Sequence, residues 1–207
     1  RSYKANTLTE NGTVTEAVVE TSAELNGYSG WTTSNYLRRA HDTDMDFGTA
    51  DFALSTWFKT STSSVNEIFM SVARASYGDT NGKMHLYLTS ASKMLFYMHN
   101  STSGGAADSV ESPGTLDDGV WHKVDAVRDT TLSKLFLYID GALVATDEGP
   151  LTSDTLTDAS STTNIGIGAN TTFPATNTTL SLFRVSTTIP TDTQVRQMYD
   201  AEKGMFV

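Results

Sequence analysis

Apolar residues return at every second position through most of this chain, in short runs separated by Gly, Asn, Asp, Ser or Pro. That period belongs to strands and not to helices. In DFALSTWFKTS (51–61) both alternating sets are apolar, Phe52, Leu54 and Phe58 against Ala53 and Trp57, which predicts a strand covered on both faces. EIFMSVARAS (67–76) predicts a second strand. The turn GDTNG follows, in which Asn81 and Gly82 both accept positive φ, and KMHLYLTS (83–90) runs back. KMLFYMHNS (93–101) adds another strand, and a Gly/Ser loop over 101–114 leads to GVWHKVDAVRD. LFLYIDGALVAT (135–146) predicts a hairpin about Asp140-Gly141, and NIGIGAN (164–170) and TTLSLFRVS (178–186) are the last strands. All four prolines fall between these runs, where a missing N–H costs no ladder bond. Residues 1–34 are weakly patterned, with Val14, Val18 and Val19 pointing to one or two edge strands.

A single helix closes the pattern. Thr191 followed three positions later by Gln194 is a capping box, and Asp192 suits the positive end of the helix dipole. Val195, Met198 and Tyr199 make an apolar i, i+3, i+4 stripe, and Gly204 is placed to end the helix. Many short strands and one terminal helix predict an all-β, two-sheet antiparallel jelly-roll sandwich with a short C-terminal helix, one domain over residues 1–207.

Composition removes several functions. There is no cysteine, hence no disulfide, thiolate nucleophile or Cys-ligated zinc. No window approaches the ~18 consecutive apolar residues of a membrane-spanning helix, so membrane insertion is not expected. With 14 basic against 24 acidic residues the net charge is −10, and the close basic pair Arg38-Arg39 is too little for a phosphate-binding surface. Nucleic acid is therefore not an expected partner. No leader is visible and the sequence begins at Arg1, which suggests a mature chain or a piece of a longer protein.

The order DFALSTWFK, DDGVWHKVDAVRD, LFLYIDGALVAT, NIGIG, LFRVS and a final QMYDAEK helix resembles the laminin-G-like jelly roll, a branch of the concanavalin A-like lectin/glucanase superfamily. The resemblance covers 35–207, and its most specific part is the pair DG-x-WH and L-Y-x-DG. It implies two packed antiparallel sheets, one concave on its outer side, with Trp57 and Trp121 as anchors in or near the core. The chain departs from that family at TNTTLS, where a Gly-containing stretch is usual, and at Asp125, where a small or apolar residue is common. NYLRRAHDTDMDFGTADF also looks like domains attached to bacteriophage tail or other structural proteins. The two resemblances imply an extracellular or virion-surface setting, with a surface glycan or partner protein, a homo-oligomer or a larger virion assembly as partners.

Catalysis is not expected. The glucanases of this superfamily carry acids at alternate positions of one strand, which places nucleophile and acid on one face. No such stretch occurs here: Glu67, Glu111 and Glu148 stand apart, and the adjacent pairs Asp117-Asp118 and Asp147-Glu148 would point to opposite faces. The histidines His41, His85, His99 and His122 lack metalloprotease spacing, and there is no G-x-S-x-G elbow. HDTDMDFG echoes a calcium loop but lacks its glycine and closing glutamate, which leaves a solvated turn. The family often holds one Ca²⁺ at the sandwich rim. Asp79, Asn81 and Asn170 are the best match in ligand type, with an ordinary β-turn as the favoured alternative.

A glycan surface is the remaining candidate. Met84, Leu86, Leu88, Met94, Phe96 and Met98 read as core. Strand alternation then turns His85, Tyr87, Tyr97 and His99 outward, together with Tyr138 opposite Leu137. A sugar can stack on the Tyr rings while His and Tyr tips bond its hydroxyls. The competing reading is a covered face or a solvated aromatic ladder.

Overall fold

The computed structural model describes residues 7–21, 24–61, 64–73, 83–99, 107–147, 149–151, 156 and 159–206. Two antiparallel seven-stranded sheets pack face to face. The first, sheet A, runs in the order β1 (Thr9–Asn11), β4 (Tyr36–Arg39), β13 (Thr162–Ile165), β6 (Glu67–Ala73), β7 (Lys83–Leu88), β8 (Met94–His99) and β9 (Ala107–Glu111). The second, sheet B, runs β12 (Ala142–Thr146), β11 (Lys134–Ile139), β10 (Trp121–Asp129), β5 (Phe52–Thr60), β14 (Thr178–Ser186), β3 (Asn26–Ser29) and β2 (Thr15–Val18). Helix α1 (Asp192–Glu202) follows, and a short 3-10 turn over Lys203–Met205 continues it.

The core lies between the sheets and draws on the inward set of nearly every strand. Phe52, Leu54 and Phe58 of β5 meet Phe69, Met84, Leu86, Met94, Phe96 and Met98 of sheet A. Ring contacts tie the layers, with Phe52 edge-on to Phe96 at 6.0 Å and Phe58 tilted on Phe69 at 5.1 Å. Trp31, outside the regular strands, is buried against Gly166: a Cβ there would sit 2.1 Å from the indole, and φ is +81°. Only glycine fits both demands.

Several sequence expectations shift. The N-terminal region supplies three strands, β1 to β3, and β3 is interior to sheet B, where it pairs with β14. The Gly/Ser stretch holds β9, whose Asp108 and Val110 turn inward while Ala107, Ser109 and Glu111 stay exposed. Its polar composition concealed the alternation. NIGIGAN is a strand only as far as Ile165 and then leaves the ladder. The capping box forms as expected, with Thr191 Oγ1 accepting from Gln194 N and Thr191 N donating to Gln194 Oε1. The helix ends at Glu202, before Gly204, which sits in the 3-10 turn. The hairpin signal Asn81-Gly82 lies outside the described residues.

The outer faces of the two sheets differ. On sheet B, α1 lies across the outward set of β5, β10 and β11. Val195 packs with Ala53, Val127 and Tyr138, while Trp57 stacks between Phe206 (4.1 Å) and Tyr199 (5.6 Å). Trp57 is thus buried outside the inter-sheet core, with its Nε1 donating to Glu202 at 2.8 Å.

Candidate functional site

The outward face of β7 and β8 in sheet A carries four of the five expected ligand residues. The β7–β8 register is unbroken, pairing His85 with Tyr97, Tyr87 with Leu95 and Lys83 with His99. The connecting turn fixes it: Ser92 N donates to Thr89 O at 2.8 Å, Thr89 N to Lys93 O at 2.8 Å, and Ser92 adopts φ 60°. Met84, Leu86, Leu88, Met94, Phe96 and Met98 fill the core, so alternation leaves His85, Tyr87, Tyr97 and His99 half-buried on the other side. Tyr97 is central, its ring 6.2 Å from His85 across the strands and 6.3 Å from His99 along its own strand. Leu95 shares this face, and β9 adds Ser109 opposite Tyr97 and Glu111 opposite Leu95. Lys93 Nζ lies 3.5 Å from Glu111 at the rim.

Tyr138 does not belong to this set. It points away from Leu137 as expected, but β11 is in the other sheet and its outward face is roofed by α1. Tyr138 is buried there and donates its hydroxyl to Asp192 at 2.7 Å. Burial, and then the bond to that carboxylate, push its phenol well above the usual range. Alternation assigns a face but not a sheet, and the helix that covers the face is far away in sequence.

Of the expected rim ligands, Asp79 and Asn81 lie outside the described residues. Asn170 follows β13, and its Oδ1 accepts from Thr172 Oγ1 at 2.5 Å, which commits that oxygen to a local turn. Among the described residues no group of three or more His, Asp or Glu side chains is placed to hold a metal ion.

Of the isolated acids, Glu67 is tied into the scaffold, Glu111 is exposed at the rim, and Glu148 lies outside the described residues. Glu67 is fully buried and accepts from Asn177 N (3.0 Å), Asn177 Nδ2 (2.9 Å), Thr178 Oγ1 (2.5 Å) and Thr176 Oγ1 (3.3 Å). TNTT, the point of departure from the family pattern, is therefore the donor set for a buried carboxylate. The WH histidine is also structural: His122 Nδ1 meets Asp140 Oδ2 at 2.7 Å and Nε2 meets Asp118 Oδ1 at 3.1 Å. In HDTDMDFG, Asp42 caps a single 3-10 turn by accepting from Asp44 N. His41 meets both oxygens of Asp46 at 3.0 Å, and Met45 and Phe47 enter the core.

A sequence profile described as Concanavalin A-like lectin/glucanases superfamily matches residues 29–196. The chain belongs to that superfamily. No curated protein matches its sequence significantly. Among solved structures, the binding domain of Paraclostridial Mosquitocidal Protein 1 is similar with a TM-score of 0.71 and 11% identity, over 94% of this chain and 47% of that one. The Ruminococcus gnavus IT-sialidase CBM40 bound to α2,3 sialyllactose gives a TM-score of 0.59 and 17% identity, over 73% and 84%. The binding domain of Botulinum Neurotoxin DC in complex with SialylT gives 0.66 and 10%, over 94% and 46%. At these identities the likeness is one of fold, and the chain spans about half the length of the two toxin binding domains. Among the described residues no helix is long and apolar enough to cross a membrane.

Proposed function

We propose that this domain is a non-catalytic glycan-binding module whose ligand lies on the outer face of β7 and β8, over His85, Tyr87, Tyr97 and His99. The observation that carries this reading is the contrast between the two outer faces. Over β5, β10 and β11, sheet B's is covered by the chain's own helix, whereas sheet A presents half-buried aromatic and imidazole rings on two adjacent strands. Such rings offer flat C–H-binding surfaces with polar tips, the chemistry a sugar requires. Two structures of the same fold are complexes with sialyl ligands, which makes sialylated glycans the first probes. The binding reading is further supported by the acids: Glu67 is sealed within the scaffold, and Glu111 stands at the rim beside Lys93. A module of this kind would act outside cells or on a virion surface.

The test is titration with a panel of lactose, N-acetyllactosamine and 3′-sialyllactose. Tyr97→Ala is expected to weaken binding by about 1 kcal/mol, roughly fivefold, as ring stacking is lost. Unchanged affinity in that variant would remove the face from consideration. The other reading is an assembly module of a virion or large surface protein with no glycan ligand. It calls for a stable homo-oligomer by light scattering and no affinity for any member of the panel.

A further inference from the structure

Over β5, β10 and β11 the outer face of sheet B lies beneath residues 192–206, and three features of that contact run against a permanent seal. Val127 of β10 packs on Val195, and Trp121 is tilted on Phe206 at 5.0 Å. Lys123 and Asp125 stand between them on the same outward set, as an ion pair shut from water. Apolar side chains of similar volume would hold that place as well or better. The Trp121 Nε1 proton is also shielded, with no hydrogen-bond partner among the described residues, and a buried donor without an acceptor is costly. Its indole reaches toward β3, where a Cβ on Gly27 would meet it at 3.4 Å. Leu182 lies at the bulge where the β5–β14 register shifts. It takes φ 49°, disfavoured for a side chain of its size, and packs into the cluster of Trp57 and Phe206.

The cover itself is slight. Helix α1 has 11 residues, a length that is marginal for an isolated helix in water, and residues 187–191, without strand or helix, join it to β14. Between 192 and 206, Val195 and Phe206 are buried, Met198, Tyr199 and Glu202 are half-buried, and the rest are exposed. Polar tethers hold the two ends. Tyr138 donates to Asp192 at 2.7 Å, and Glu202 accepts from Trp57 Nε1 at 2.8 Å and from Arg184 Nη1 at 2.6 Å. The ion pair in the second tether is weak, because Arg184 is exposed and Glu202 stands at the negative end of the helix dipole. An unmet donor, a buried ion pair and backbone strain thus gather under one light cover, and local rules are broken in this way where a surface serves a function besides folding. Two indole rings, an unused indole N–H and an ammonium beside a carboxylate are groups suited to a polyhydroxylated ring.

We propose that residues 192–206 are a reversible, autoinhibitory cover over a second glycan surface formed by Trp57, Trp121, Lys123 and Asp125. The class of ligand rests on the glycan reading above, whereas the cover and its position on sheet B do not. The segment lifts as a unit and competes with the ligand for the same side chains. The apparent affinity of the surface is its intrinsic affinity reduced by the fraction of molecules in which the segment is lifted.

The experiment joins hydrogen exchange to titration with lactose, N-acetyllactosamine and 3′-sialyllactose. In the unaltered chain, the amides of residues 196–202 should exchange through an opening that leaves β5 and β10 protected. Binding is then compared in a Tyr97→Ala background, which removes the platform's contribution. There Phe206→Ala takes away the ring that rests on Trp57 and Trp121. It should speed exchange of 196–202 at least fivefold and raise affinity for one or more of the sugars by a similar factor. Adding Lys123→Met with Asp125→Leu should abolish that gain. Exchange of 196–202 only in step with β5 and β10 would overturn the cover. Faster exchange in Phe206→Ala with no gain for any sugar, or a gain that survives Lys123→Met with Asp125→Leu, would overturn the ligand surface beneath it. Failure of the platform reads out separately, as equal affinity of the unaltered chain and Tyr97→Ala.

Discussion

Lys123 and Asp125 are two residues apart on β10, hence on one face of the strand, and both are essentially excluded from water. Lys123 Nζ meets the two Asp125 oxygens at 2.6 and 2.7 Å. Burial raises the Asp125 pKa, and the opposing charge and hydrogen bonds of Lys123 do not fully cancel it. This pair accounts for an acid at a position where the family commonly carries a small or apolar residue: it neutralises a lysine beneath α1. Removing one partner leaves the other buried and uncompensated, so Asp125→Ala should cost about 3–5 kcal/mol. Replacing both, as in Lys123→Met with Asp125→Leu, removes two desolvation penalties and should return most or all of that loss. Urea unfolding of the parent, single and double variants checks this. A double variant as unstable as the single would show that the ion pair itself, and not the orphaned charge, holds the site.

At the scale of elements, DG-x-WH and L-Y-x-DG are the two halves of one clasp. Asp140 and Gly141 both take positive φ at the β11–β12 turn, and Asp140 exchanges bonds with Lys123, its N–H donating to Lys123 O and its Oδ1 accepting from Lys123 N, each at 2.9 Å. His122 joins this turn to Asp118. Burial disfavours its charged form, but the bond and charge of Asp140, then those of Asp118, outweigh it and raise the pKa above 6.5. A raised folded pKa contributes stability in full below 6.5 that is lost as pH climbs through the folded value. The parent should therefore lose stability as pH rises above about 6.5, and His122→Gln should show a flatter profile over the same rise, measured as urea midpoints. Parallel profiles would mean that the clasp does not depend on the imidazolium. These elements were legible because turn residues and caps act locally, as at Asp140-Gly141 and Thr191 with Gln194. β9 was not, because Ala, Asp and Ser give a strand that only its pairing with β8 discloses.

For the whole molecule, the sequence separated inside from outside more surely than it separated one sheet from the other. The alternation in β7 and β8 is local and strong, so the face bearing Tyr97 could be read directly. Tyr138 obeys the same alternation and yet lies under α1, because which sheet a strand joins and what covers it depend on contacts between distant segments. The loop after β13 shows the same limit: nothing in NTTFPAT reveals that the Phe173 carbonyl accepts from Ile68 N of β6. What the alternation does fix is open to a direct comparison at two consecutive positions. Phe96 is fully buried between the sheets and touches Phe52 edge-on, whereas Tyr97 is half-buried on the outer face. Phe96→Ala should open a cavity that the surrounding Met, Leu and Phe side chains only partly fill, costing about 3–5 kcal/mol. Because both sheets share that core, the loss should appear as a lower midpoint of the main cooperative transition. Tyr97→Ala removes a ring already partly in water and should lower the midpoint far less. Thermal scans of the two variants settle the orientation, and a larger loss in Tyr97→Ala than in Phe96→Ala would mean that the outer face of β8 is a packing surface for another part of the assembly.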